Sequence, residues 1–284
     1  MPKPINERPT QQDDPEALPW KEFPRSSRKA PLGDGPPRVT CLVVTSPGHH
    51  EDRARHQGAA WKDPRPPTPC PNTLFLSSAA HPDLPNVILS NYSGSVEAEY
   101  EDLWGKVLHG LRAVDPASAH WFLKTDDDTF LLYPHLLDLL GEFDSSRPLF
   151  LGLPLDESRS LRVEYMSGGA GYVLSSPAVR LLQKTLLQEC HLPGLTSYED
   201  VNMGACMAAL GVELGDTRDS LGRARFLPYP PWVLMREDLQ HHQGYSWLRR
   251  MSKFPFNFGI EHVSDRPSAS TRCETPETST PSCT

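Results

Sequence analysis

Three consecutive carboxylates are the residues whose type and spacing most directly suggest chemistry. Asp126, Asp127 and Asp128 follow the apolar, strand-like segment 120–125. Adjacent carboxylates repel one another, so the cluster costs stability unless a cation compensates it. Oxygen ligands suit a hard divalent ion such as Mg²⁺ or Mn²⁺, which could also grip a diphosphate. Asp126 and Asp128 point to the same side if the segment stays extended; the alternative is a polar turn capping the helix that begins at Pro134.

A glycine-rich segment is the second candidate. Gly168, Gly169 and Gly171 follow Tyr165 within a few residues. Glycines let a backbone approach another group closely, and the alternative is a sharp turn into a strand. A dinucleotide fingerprint is excluded because no G-x-G-x-x-G opens a helix here.

A pair of carboxylates at a predicted helix start is the third candidate. Glu199 and Asp200 fall in the first turn of a helix opening at Ser197, where the helix dipole favours negative charge. Asp200 there could act as a general base positioned by the helix end. The alternative is a residue that only caps the helix.

The surrounding segments alternate between strand-like and helix-like patterns, which predicts an α/β fold with a mostly parallel sheet. In such sheets, ligands bind beyond the carboxyl ends of the strands. The predicted strands are 38–45, 73–77, 86–89 and 120–125. The predicted helices open at Ser95, Pro134, Ser176 and Ser197.

Composition limits the classes of protein and the extent of the folded part. The chain has 284 residues, 38% of them hydrophobic, which is enough for a core. The net charge of −8 argues against a general nucleic-acid binder or a coat on anionic membranes. Proline-rich residues 1–37 predict a disordered, stem-like arm, and the Ser/Thr/Pro-rich residues 264–284 predict a disordered tail. The globular domain is then 38–263.

The targeting signals and the cysteines suggest different cellular compartments. No apolar run approaches the ~20 residues of a membrane span, and no signal-peptide pattern opens the chain, so we expect no export signal. The six cysteines are dispersed and form no C-x-x-C pair. An even, dispersed set suits a secretory domain with one or two disulfides, and the alternative is reduced, buried thiols. Asn91 begins an N-glycosylation acceptor triplet.

Taken together, the three candidate segments are more specific than each alone. The runs WFLKTDDDTF, YMSGGAGYVLS and EDVNMGACM, at these separations, closely resemble the core 1 β1,3-galactosyltransferase family, which is similar to the fringe-type inverting glycosyltransferases. The resemblance extends from Arg38 to Asp265 and includes RHQGAAW, LWGK and GDTRD. It implies a GT-A-type nucleotide-sugar-binding fold with a central, mostly parallel sheet flanked by helices.

The resemblance also implies a reaction and roles for residues. The family transfers galactose from UDP-galactose to the 3-hydroxyl of GalNAc on Ser or Thr, with inversion. Carried over, Asp126 and Asp128 hold Mn²⁺ against the diphosphate, and Asp127 lies near the ribose and the sugar. Asp200 is the base that accepts the proton of the acceptor hydroxyl, with Glu199 as the alternative.

Further family features are implied in the same way. Thr45, after the first strand, and Lys106 flank the uridine diphosphate. Tyr165, Gly168 and Gly169 line the galactose and acceptor side. The implied disulfides are Cys190–Cys206 and Cys41–Cys70. Family resemblance also suggests the lumenal side of the Golgi membrane, with a homodimer or a dedicated family chaperone as possible partner.

The C-terminal segment departs from the family pattern. The family continues from C-C-S-D to S-F-H-Y, whose histidine completes the metal site, whereas Thr271 stands at that position here. His262 is a possible substitute ligand. Two alternatives to the galactosyltransferase therefore stay open: a catalytically impaired relative that acts as a binding or folding partner, and a β1,3-transferase with a different sugar donor or acceptor.

Overall fold

The structure is a computed structural model that describes residues 36–56, 70–84, 86–89, 103–157, 163–185 and 198–271. Its strands are β1 Val39–Val44, β2 Asn72–Ser77, β3 Val87–Leu89, β4 Trp121–Asp126, β5 Thr129–Leu131, β6 Leu149–Gly152, β7 Pro154–Asp156, β8 Glu164–Met166, β9 Tyr172–Ser175, β10 Glu213–Asp216, β11 Phe226–Leu227 and β12 Ala269–Thr271. Its α-helices are α1 Leu103–Ala113, α2 Tyr133–Leu140, α3 Ser176–Thr185, α4 Glu199–Ala209, α5 Pro231–Leu234 and α6 Ser246–Met251.

A seven-stranded sheet forms the centre of the fold, in the order β10-β6-β9-β4-β1-β2-β3. The pairs β1–β2, β1–β4, β2–β3 and β6–β10 are parallel, and β9 runs antiparallel to both β4 and β6. The predicted α/β class with a mostly parallel central sheet is therefore confirmed. This arrangement places the carboxyl ends of β1, β4, β6 and β10 at one edge.

The central sheet is buried on both faces because alternate side chains enter two different cores. On one face, Phe122 and Leu174 lie in a cluster with residues of α1, α3 and α4. On the other face, Trp121 and Leu123 pack with residues of α2 and the C-terminal segments. Continuing the alternation along β4 puts Lys124 and Asp126 on the same face as Phe122.

The predicted elements agree with the structure where it describes them. The four predicted strands correspond to β1, β2, β3 and β4, and the helix with proline in its first turn is α2. The helix predicted from Ser95 is described from Leu103 onward as α1, and the helix opening at Ser176 is described to Thr185 as α3. Residues 90–102 and 186–197 lie outside the described residues.

A second, three-stranded sheet has the order β11-β12-β5. Its strand β12 lies in the segment 264–284, which the sequence assigned to a disordered tail. The prediction of disorder is therefore wrong for residues 264–271. Backbone pairing with β5 and burial of Ala269 hold this segment in place, and three residues are too few to show a strand periodicity. Residues 1–35 and 272–284 lie outside the described residues, where the predicted arm and tail stay predictions.

One disulfide joins Cys41 in β1 to Cys70 just before β2, with Cα atoms 6.3 Å apart. This confirms one of the two pairs that the family resemblance implied. Cys206 in α4 is also disulfide-bonded, but Cys190 lies outside the described residues, so the second pair stays a prediction. Among the described helices, none has the length and apolar character needed to cross a membrane.

Candidate functional site

The acidic triplet forms the turn between the two sheets. Asp126 is the last residue of β4, Asp127 and Asp128 make the turn, and β5 begins at Thr129, whose hydroxyl accepts a hydrogen bond from the Asp126 N–H at 3.2 Å. The condition that the segment stays extended is therefore not met, because the chain turns at Asp127 and Asp128 to leave the central sheet. The triplet does not cap α2 either, since Leu132 is the residue before that helix.

Asp127 is tied to the end of the neighbouring strand. Val44, the last residue of β1, is in register with Asp126, so Thr45 lies beside the triplet. The Thr45 hydroxyl donates to Asp127 Oδ2 at 2.7 Å, and the buried Lys106 ammonium donates to the Thr45 carbonyl at 3.1 Å. Thr45, Lys106 and Asp127 are thus brought together.

Arg53 is a site residue that the sequence analysis missed. Its guanidinium lies 3.8 Å from an Asp127 oxygen and 4.0 Å from an Asp128 oxygen. It belongs to a short helical turn, His50–Ala54, after β1. The sequence could have indicated Arg53 only through its position between β1 and the family-like stretch that begins at Arg55. The fold is what places it against carboxylates that are more than 70 residues away in the chain.

The electrostatics of the triplet favour a bound cation. Burial, together with the charges of Asp126 and Asp127, raises the pKa of Asp128 to about 6. Burial likewise raises the pKa of Asp127, against the hydrogen bond from Thr45. Among the described residues, no group of three His, Cys, Asp or Glu side chains could hold a metal ion by itself. The donor set therefore fits an ion such as Mg²⁺ or Mn²⁺ that binds one or two carboxylates together with substrate phosphates.

Lys124 connects the triplet to the other two candidate segments. Its side chain is 2% exposed, and its ammonium lies 2.7 Å from Asp126 Oδ1 and 3.6 Å from Glu199 Oε2. It also donates to the Gly168 carbonyl at 3.4 Å. Burial opposes its charge, but Asp126 and Glu199 outweigh burial and raise the Lys124 pKa. In the sequence, Lys124 was recognised only as part of the run WFLKTDDDTF, and no role was predicted for it.

Glu199 is buried at the start of α4. The Tyr172 hydroxyl donates to Glu199 Oε1 at 2.5 Å. Burial raises the pKa of Glu199 to about 7, although the nearby Lys124 charge acts to lower it. Burial and the Glu199 charge in turn hold the pKa of the Tyr172 hydroxyl well above its ordinary value. This glutamate is therefore enclosed by its partners.

Asp200 faces the glycine-rich segment and is more accessible than Glu199. Its Oδ2 accepts the Gly168 N–H at 2.9 Å, and its Oδ1 accepts the Val201 N–H at 2.9 Å. Burial raises its pKa, opposed by the hydrogen bond from Gly168. A capping role accounts only for the bond within α4, because the bond to Gly168 crosses to another segment.

Close packing explains two of the glycines. A Cβ at Gly168 would meet the Asp200 side chain at 3.2 Å, so glycine lets the loop reach the carboxylate. A Cβ at Gly204 would lie 2.3 Å from Tyr165 Cβ, so glycine lets α4 rest directly on β8. Tyr165 is buried there, and its pKa is raised by burial and by the Asp200 charge. The segment 168–171 also turns into β9, as the alternative interpretation predicted.

Thr271 and His262 occupy different surroundings. Thr271 in β12 pairs with Thr129, and its hydroxyl donates to the Gly169 carbonyl. His262 lies 3.2 Å from Glu261 and lines a pocket with Arg218 and Phe254. Thr271 therefore lies next to both the acidic triplet and the glycine-rich segment. The contacts described for His262 include neither of these segments.

Comparison with known proteins identifies relatives of this chain. A family model described as Fringe-like matches residues 79–219, a range that holds the acidic triplet, the glycine-rich segment and the start of α4. Over residues 79–219, the chain is similar to the Fringe-like family. Thr45, Arg53 and Thr271 lie outside this matched range.

Relatives with curated names carry related activities. Glycoprotein-N-acetylgalactosamine 3-beta-galactosyltransferase 1 of Xenopus laevis is 32% identical over 81% of this chain. N-acetyllactosaminide beta-1,3-N-acetylglucosaminyltransferase 4 of Homo sapiens is 31% identical over 40% of the chain. Beta-1,3-glucosyltransferase of Mus musculus is 34% identical over 39% of it. The chain spans 59%, 34% and 22% of the lengths of these three relatives.

A solved structure shows a partial likeness. The mannosyltransferase of Pyrobaculum calidifontis in complex with GDP-mannose and Mn²⁺ is 17% identical to this chain. The match covers 70% of this chain and 57% of the other, with a TM-score of 0.36. A likeness of this extent carries no argument about the site.

Proposed function

We propose that this chain is an inverting β1,3-galactosyltransferase that moves galactose from UDP-galactose to the 3-hydroxyl of GalNAc on Ser or Thr. The observation that carries the proposal is the position of Asp200. The fold brings this half-buried carboxylate to the glycine-rich segment, which Lys124 links to the acidic triplet. Lys124 then contacts both the proposed donor-binding triplet and the segment that holds the candidate base.

On the donor side, Asp126 and Asp128 would hold Mn²⁺, which would stabilise the negative charge that develops on the leaving UDP. Asp127 would contact the ribose and sugar portion, fixed by its hydrogen bond from Thr45. Lys106 holds the Thr45 carbonyl and adds positive charge beside the nucleotide. Arg53, facing both Asp127 and Asp128, would add a further cation near the diphosphate.

On the acceptor side, Asp200 is the preferred base. The acceptor oxygen attacks the anomeric carbon of galactose. The bond between this carbon and the UDP oxygen breaks, and UDP leaves with the electron pair. Asp200 accepts the proton of the acceptor hydroxyl. Glu199 is the less suitable candidate because Tyr172 and Lys124 enclose its carboxylate. Tyr165, Gly168 and Gly169 would line the pocket for the two sugars.

A β1,3-transferase that uses a different sugar donor is the second candidate. It is favoured by the similarity to two relatives, an N-acetylglucosaminyltransferase and a glucosyltransferase. The binding or folding partner is a third candidate, favoured by Thr271 at the position of the family's metal-binding histidine. The acidic triplet and Asp200 favour an enzyme over this partner.

The proposed setting is the lumenal side of the Golgi membrane, with a glycoprotein carrying GalNAc-Ser/Thr as acceptor. The Cys41–Cys70 disulfide supports an oxidising compartment. A homodimer or the family chaperone is proposed as a protein partner by resemblance alone.

The test is UDP release from UDP-galactose with a GalNAc-peptide, in Mn²⁺ and after chelation. Mn²⁺-dependent release that requires the peptide supports the proposal. Release with UDP-GlcNAc or UDP-glucose instead would favour the second candidate. An absence of release with each donor, together with specific binding to an active family enzyme, would favour the binding partner.

A further inference from the structure

The Lys124 side chain contacts the acidic triplet, the glycine-rich segment and the start of α4. Its ammonium lies within 2.7 Å of Asp126 Oδ1, 3.4 Å of the Gly168 carbonyl and 3.6 Å of Glu199 Oε2. These partners lie 2, 44 and 75 positions away in the sequence. One buried cation therefore joins the donor side of the proposed site to its acceptor side.

The β-sheet geometry explains how a lysine reaches this position. Lys124 and Asp126 lie on the same face of β4 because they are two residues apart. Tyr172 of β9 is the cross-strand partner of Lys124, and the ammonium lies 5.8 Å from the centre of the Tyr172 ring. The Tyr172 hydroxyl in turn donates to Glu199. Lys124, Tyr172 and Glu199 therefore form a closed set of contacts.

Burial makes the charge of Lys124 consequential. A buried ammonium must be paired, and removing one partner of a buried pair leaves the other charge uncompensated. Lys124 shares one positive charge between Asp126 and Glu199. Replacing Lys124 by a neutral residue would remove the positive charge that offsets the Asp126 carboxylate. It would also remove the cation that holds Glu199 and the Gly168 carbonyl.

We propose that Lys124 is a positioning residue that limits the charge at Asp126 while it holds Glu199 and Gly168 in place for the acceptor. The inference rests on the proposed function and deepens it. Its consequence is a split between two measurements. Without Lys124, a divalent cation binds more tightly at the acidic triplet, because a competing positive charge is gone. Transfer slows, because the acceptor side loses its anchor.

The experiment compares Lys124→Met with the wild-type chain. Calorimetry measures the affinity for UDP in the presence of Mn²⁺, and initial rates measure kcat for transfer. We expect the affinity to rise about 3- to 10-fold and kcat to fall by about 10-fold or more, the range of coupling between contacting residues. A purely structural role would instead lower affinity and kcat in parallel as the folded fraction fell.

A second variant protects the test against loss of folding. Lys124→Met combined with Glu199→Gln removes opposite charges together, so the interior keeps its charge balance. Compared with Glu199→Gln alone, the double variant should bind Mn²⁺ and UDP more tightly. Arg147→Met is the control, because it removes a cation that is paired with a glutamate, Glu213, at the amino ends of β6 and β10, the end of these strands opposite the candidate site. It should leave affinity and kcat unchanged.

The outcomes separate the inference from the proposed function. If the wild-type chain shows no Mn²⁺-dependent UDP binding, the proposed function fails, and the role of Lys124 fails with it. If the wild type binds and transfers, but Lys124→Met weakens both or changes neither, the positioning role alone is overturned. The same holds if the double variant binds no more tightly than Glu199→Gln.

Discussion

Thr271 is the cross-strand partner of Thr129, the residue that directly follows the acidic triplet. Its hydroxyl also donates to the carbonyl of Gly169. A side chain at position 271 therefore adjoins both the proposed donor side and the proposed acceptor side. This position, reached by a strand that the sequence assigned to a tail, is where the family pattern has its metal-binding histidine.

Thr271→His should raise the affinity for Mn²⁺ in the presence of UDP. An added nitrogen ligand should matter at least as much as an outer-shell change, which alters affinity or activity by about 10- to 100-fold. Calorimetry of Mn²⁺ binding at a saturating UDP concentration measures the change.

Thr271→Val is the control for that substitution, because it removes the hydroxyl bond to Gly169 without adding a ligand. It should not raise the affinity. Thr271→His could also leave the affinity unchanged while thermal unfolding shows a folded chain. In that case residue 271 does not approach the metal, and its alignment with the family histidine has no structural significance.

Asp128→Asn should weaken Mn²⁺-dependent UDP binding by at least about 10-fold, because it removes an anionic oxygen ligand from the cluster. The fold should survive, since neutralising one of three adjacent carboxylates relieves repulsion. Calorimetry gives the affinity, and the exposed Asp138→Asn on α2 is the control. An unchanged UDP affinity in Asp128→Asn would remove Asp128 from the proposed metal site.

Asp200→Asn should retain Mn²⁺-dependent UDP binding but lower kcat for transfer by about 10²- to 10⁴-fold, the usual contribution of a general base. The asparagine oxygen can still accept one of the two backbone bonds, so the loop at Gly168 keeps a partner. Donor affinity and transfer rate are measured on the same preparation, with the exposed Asp238→Asn as control. Wild-type kcat would leave Glu199 as the candidate base.

Glu199 should make the chain less stable as the pH rises from about 4.5 to about 7. Burial raises the folded-state pKa of Glu199 to about 7 from an ordinary value of 4.5. In that window the folded state holds the proton while the unfolded state has released it, so the free energy of unfolding falls as pH rises. The contribution is about 3 kcal/mol at most, from about 1.4 kcal/mol per pH unit.

Chemical denaturation of wild type and Glu199→Gln across this pH range tests that dependence. The glutamine cannot titrate, so the difference in unfolding free energy between the two proteins should shift in favour of Glu199→Gln as pH rises. A difference that stays constant with pH would mean that Glu199 titrates alike in the folded and unfolded chains.

Local patterns in the sequence were sufficient for the class of fold. The β-branched apolar run of β1 and the apolar run of β4 predicted strands, and proline in its first turn predicted α2, because each pattern depends on neighbours a few residues away. The same locality explains one error. The segment that forms β12 was assigned to a tail, because the partner that orders it is another strand, β5.

By itself the sequence determined which residues are candidates for the chemistry: the acidic triplet, the glycine-rich segment and the carboxylates of α4 are readable from residue type and spacing. Only the tertiary structure decided how they are connected. Arg53 faces the triplet, and Lys124 shares its charge between Asp126 and Glu199. The physical reason is that a buried charge must be paired, and its partners come from segments that are distant in the chain and adjacent only after the sheet has formed.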